Sequence, residues 1–78
     1  MERILYEIVM LRAKGQFLDA ITHYEENKAY LKDDNIAFVA LLEVFKAAVE
    51  QTNLNLIRKY ARLVATKEPG LPSIQEYL

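Results

Sequence analysis

Asp33-Asp34-Asn35-Ile36-Ala37-Phe38-Val39-Ala40-Leu41-Leu42-Glu43-Val44-Phe45-Lys46-Ala47-Ala48-Val49-Glu50 is the stretch on which the fold turns. Its first three residues are favoured N-cap types, because their short side chains accept from the free N–H groups of a first helical turn. No Gly or Pro follows within the stretch, so nothing interrupts a helix over 35–51. The charges Glu43, Lys46 and Glu50 recur at i, i+3 and i+7 and form one narrow stripe. Every other face is apolar. A helix apolar on most of its circumference is central, with neighbours on several sides. The unbroken apolar run, Ile36 to Leu42, is far below the roughly 20 residues of a membrane span.

The flanks read as further helices. Downstream, Thr52-Asn53 turns and caps a helix over 54–67, with Leu54, Ile57, Ala61 and Val64 as its buried stripe and Tyr60 alongside. Arg58, Lys59, Arg62 and Lys67 line its other side. Upstream, a helix over 2–13 carries Ile4, Ile8 and Leu11, widened by Leu5 and Val9, with Tyr6 and Met10 beyond the stripe. Gly15 is a natural left-handed stop. A helix over 17–31 follows, with Phe17, Ala20, Ile21 and Tyr24 at i, i+3, i+4 and i+7, and with Asp19, His23, Glu25 and Glu26 expected to face water. Lys28 and Lys32 suit the dipole at its end. Both prolines, Pro69 and Pro72, fall beside Gly70 in the tail. Ser73-Ile74-Gln75-Glu76 reads as a capping box opening a fifth helix. Either a single turn docks back on the domain, or a longer array would continue. No strand signature is present. The expectation is an all-α fold in one domain, 1–78, divided into a first pair of helices (1–32), a second pair (33–68) and a tail (69–78).

Bulk composition agrees and excludes much. The chain has 78 residues, of which 53% are hydrophobic. A chain so short buries only about 60–65% of the surface its unfolded form exposes, so its apolar content exceeds what a small monomer readily hides. There is no Cys, which removes disulfides, thiol catalysis and Cys-type zinc sites. The net charge of −1 gives no overall electrostatic footprint for nucleic acid or anionic membranes. The opening Met1-Glu2-Arg3 runs directly into an apolar periodic segment that contains Glu7 and Arg12 and lacks the layout of a secretory signal, so a cytoplasmic protein is expected.

The two helix pairs also repeat. A shift of 37 residues lays Gly15-x-Phe17-x-x-Ala20-Ile21-x-x-Tyr24 on Thr52-x-Leu54-x-x-Ile57-Arg58-x-x-Ala61, in pattern and not in identity. The segment Ala13-Lys14-Gly15-Gln16-Phe17-Leu18-Asp19-Ala20-Ile21-Thr22-His23-Tyr24-Glu25-Glu26 closely resembles the turn and second helix of a tetratricopeptide repeat. In that pattern Gly15 permits the tight turn, Phe17 wedges between the paired helices, Ala20 lets backbones approach, and Tyr24 packs on the next repeat. Pro69 stands at the spacing of the family's terminating proline. Ile8 and Phe45 replace its small mid-helix residues, and Lys32 replaces the first terminating proline. The resemblance covers about residues 1–69 and implies two stacked antiparallel helical hairpins. A plain four-helix bundle is the other arrangement compatible with the periodicity.

Catalytic equipment is sparse. Ser73 is the single Ser and reads as a cap. His23 has Asp19 at i−4 and Glu26 at i+3, a spacing for a surface Asp–His pair or a weak metal site, but no second His supports a ligand set. No Gly-rich phosphate loop exists. The expectation is a protein that is not an enzyme and takes no metal or cofactor. By the resemblance, the first helix of each hairpin lines a concave surface, which implies a partner-binding face of Leu5, Tyr6, Val9 and Arg12 from the first helix and Val39, Leu42, Glu43 and Lys46 from the third. Its apolar character suits an amphipathic helix or hydrophobic segment and argues against a carboxylate-holding groove. A protein or peptide partner is therefore expected, in the manner of an adaptor or small chaperone, with no nucleic acid and no membrane. Two other readings stay open. The apolar faces form a homo-oligomer, or the basic side of the fourth helix binds an acidic segment or nucleic acid. The apolar residues left over on the first helix and in the tail, with Leu71, Ile74 and Leu78, are expected to be covered by another chain.

Overall fold

The computed structural model describes residues 2–78; Met1 lies outside the described residues. Among the described residues the fold is all-α, with four long helices and one short one. These are α1 (Arg3–Ala13), α2 (Phe17–Asn27), α3 (Asp34–Gln51), α4 (Leu54–Lys67) and α5 (Pro72–Gln75), with a 3-10 turn over Lys28–Tyr30. None of them is long and apolar enough to cross a membrane.

Local chemistry sets the boundaries. The Asp33 carboxylate accepts from the N–H groups of Asn35 and Ile36 and starts α3. Asn53 does the same for α4 through the N–H of Leu56. Gly15, at φ +78, ends the turn after α1 in a conformation L side chains avoid. Thr52 takes the equivalent left-handed position after α3 at φ 60, although it is β-branched. Two expected ends move. The α-helical hydrogen bonding of α2 stops at Asn27 and tightens into the 3-10 turn, because Leu31 turns inward, 9% exposed, and draws the chain across toward α3. The tail helix starts at Pro72, not after Ser73; proline at N1 has its φ already set, and no side chain caps the helix, so the expected capping box does not form.

Helix α3 is central, as its all-round apolarity requires. It packs against α1, α2 and α4, while α1 also packs on α2 and α4 on α5. Ala40, Val44, Ala47 and Ala48 have no exposed surface. The three alanines allow close backbone approach, and Val44 fills the space between. Ile8, Ala20, Tyr60, Ala61 and Val64 complete the fully buried core from the other helices. The tail contributes Ile74, also fully buried, and Tyr77, whose ring meets Phe45 edge to face at 5.9 Å. Much of the tail's apolar surplus is thus covered by its own chain, and only Leu78, 58% exposed, is left over. Leu54 is a second correction: it is 50% exposed rather than buried, because α4 begins there and the stripe engages α3 only from Ile57 onward.

Candidate functional site

The residues that sequence reasoning suggests for a partner lie on α1 and α3, two helices that pack against each other. Tyr6 is 52% exposed and Val39 43% exposed, with Val9 and Leu42 half-buried. Leu5 is a correction. It points into the core at 7% exposure, because it lies on the same side of α1 as Ile8. It supports this face from below and offers nothing to a ligand.

The charged members meet in one cluster. Arg12 on α1 reaches across to α3, where one guanidinium N–H donates to Glu43 at 2.9 Å and its Nε–H donates to Glu50 at 2.7 Å. Lys46 stands 3.6 Å from the other oxygen of Glu43. Arg12 therefore clamps two carboxylates two turns apart, and the stripe that interrupts the apolarity of α3 faces α1 at this point. Glu43, Lys46 and Arg12 were expected here; Glu50 was not assigned to the face, although its i+7 spacing from Glu43 carries the signal. A fork of fixed donors tying two helices restricts their separation more than a flexible Lys would.

Two shallow grooves border this face. One, of about 310 Å³, runs from Arg12 past Phe45 and Val49 to Ser73 and Tyr77. The other, of about 350 Å³, lies on the α1/α2 edge and is lined by Tyr6, Glu7, Met10, Leu11, Lys14 and His23. Met10, Phe45, Val49 and Tyr77 add apolar lining that the expected residue set omits. Ser73 and His23 belong to different grooves and are not brought together.

His23 does not face water with Asp19 and Glu26. It turns toward α1, where its Nε2 lies 2.9 Å from a Glu7 oxygen, and Asn27 donates to the backbone carbonyl of His23. The hydrogen bond to His23 holds the Glu7 carboxyl below its usual range, although burial opposes it. Glu25 is likewise turned inward. The hydroxyl of Tyr60 donates to it at 2.6 Å, and Lys28 and Lys59 lie within 2.9 and 3.7 Å. Among the described residues no three His, Asp or Glu side chains gather in a group that could hold a metal ion. The geometry supplies apolar contact area and fixed ion pairs.

No family model, curated protein or solved structure matches the chain.

Proposed function

We propose that the chain is a non-catalytic interaction module of two stacked antiparallel helical hairpins, tetratricopeptide-like in arrangement, that receives an amphipathic helix of a partner protein on its α1/α3 face. The observation that carries this reading is the pair Tyr6 and Val39, 52% and 43% exposed on two helices already packed on each other. An amphipathic helix presents its apolar i, i+3, i+4 and i+7 side chains to such a surface, to which half-buried Val9 and Leu42 add further apolar area. The arrangement is supported by α2 and α1 each packing on α3, and by the left-handed backbone at both intrapair turns, Gly15 and Thr52. A fold with no Cys to staple it suits the reducing cytoplasm.

The test is a double substitution at exposed positions, Tyr6→Glu with Val39→Glu. Affinity capture from cells with the wild-type chain, followed by mass spectrometry, identifies the partner. The double variant should lose it while its helical circular dichroism stays unchanged. Undiminished recovery of that partner by a folded double variant rejects this face as the site.

A further inference from the structure

Helices α2 and α4 carry opposite charge. The first holds Asp19, Glu25 and Glu26 and no Lys or Arg; the second holds Arg58, Lys59, Arg62 and Lys67 and no Asp or Glu. They also touch. Tyr24 and Tyr60 meet edge to face at 6.3 Å, and Lys59 lies 3.7 Å from Glu25 across the seam. That contact, with Lys28 on Glu25, pairs the charges at the seam itself. The remainder is left uncompensated on either side. Asp19 and Glu26 are exposed on α2, Arg58 and Arg62 are exposed on α4, and none of the four has an ion-pair partner among the described residues. Arg58 and Arg62 stand one turn apart, a spacing at which like charges destabilise a helix. Nothing in the packing of α4 requires them.

The seam is also apolar at the surface. Leu18, 50% exposed, lies two turns before Glu25 on the same side of α2. Leu63, 39% exposed, lies one turn after Lys59 on α4. Each helix therefore carries an exposed leucine beside its share of the charge, Leu18 with the acids of α2 and Leu63 with the bases of α4.

We propose that this face binds a second copy of the chain, each copy laying its acidic α2 flank on the basic α4 flank of the other. A two-fold axis along the seam exchanges the two flanks, so acid meets base twice and the leucines meet in the middle, which closes the assembly as a dimer. Charge complementarity selects this occupant. A nucleic acid docked on Arg58 and Arg62 would bring its phosphates beside Asp19, Glu25 and Glu26, whereas a second copy offers each flank its opposite. Solvated ion pairs contribute little affinity and mainly set partner and register, so the dimer is weak, reversible and sensitive to salt. This surface is separate from the α1/α3 face.

The experiment uses two charge reversals, Arg58→Glu with Arg62→Glu and Asp19→Lys with Glu26→Lys, all at exposed sites, with circular dichroism as the check on folding. Sedimentation should show wild-type association that weakens about tenfold from low to high salt. Each reversed variant alone should be monomeric, because the exposed, unpaired charges at positions 19, 26, 58 and 62 then all carry one sign. An equimolar mixture of the two should associate again, since acid once more meets base. A wild type that stays monomeric at every concentration, or a mixture of two folded variants that does not associate, overturns the proposal. So does a wild-type dimer indifferent to both reversals but lost in the Tyr6→Glu, Val39→Glu variant, which would assign self-association to the other face. Binding of a single-stranded oligonucleotide through Arg58 and Arg62 with no dimer would overturn it in favour of nucleic acid.

Discussion

Tyr60 and Glu25 show how one residue pair ties the two halves together. The Tyr60 ring is fully buried, and its hydroxyl finds its acceptor in Glu25 of α2. Burial pushes the Glu25 carboxyl up, but the Tyr60 hydroxyl, Lys28 and Lys59 outweigh it and leave the group below its usual value. A carboxyl lowered by folding stabilises the native state above its unfolded pKa, about 4.3, and that contribution is lost as pH falls through the lower native value. Glu25→Gln should therefore melt below wild type at pH 7, and the two curves should converge as pH drops through the carboxylate range. Equal separation at pH 7 and pH 3 would contradict the assignment. Tyr60→Phe keeps the ring and removes the hydroxyl, and should cost about 1–2 kcal/mol in denaturant unfolding at neutral pH. Neither partner was legible in the sequence as part of a pair. They are 35 residues apart, and the helical period that turns Glu25 outward by count does not know that α4 arrives beside it.

At the scale of elements, caps and periods were legible because they are local. Asp33 and Asn53 cap where short side chains must accept from free N–H groups, and α4 runs over the span its apolar period marks. What failed depends on contacts made from a distance: Leu54 is left outside by the approach of α4 to α3, Leu5 is taken inside with Ile8, and Leu31 draws α2 to an early end. The two turns within the helix pairs give a paired prediction. Thr52 at φ 60 carries a β-branched side chain where Gly15 at φ 78 carries none. Thr52→Gly should stabilise the chain by about 1 kcal/mol, by relieving that conformation. Gly15→Ala should destabilise it by a similar amount, even though nothing lies within 4 Å of the added Cβ, because the cost is in the backbone. In thermal melts each should move the midpoint by about 4–8 °C, in opposite directions. A neutral Thr52→Gly would mean that the strain is relieved elsewhere in the turn.

At the scale of the whole molecule, the apolar surplus that set the chain apart is divided between inside and outside. Most of α3, most of the tail and Leu5 use their share within the fold, and Tyr6, Met10, Leu18, Val39, Leu54 and Leu63 keep theirs at the surface. The central position of α3 also determines how the molecule comes apart. α1, α2 and α4 all pack on this one helix, so both pairs of helices share it. A cavity at Val44, which is fully buried and midway along α3, removes contacts that both pairs share. Val44→Ala should cost about 2 kcal/mol, and the lost stability should be felt everywhere at once. Hydrogen exchange would then show the most protected amides of α1, α2 and α4 all accelerating by the same factor, as a single cooperative transition demands. Acceleration confined to α3 and α4, with α1 and α2 keeping wild-type protection, would mean that the first helix pair stands without the second. The shared core would then be two cores in contact.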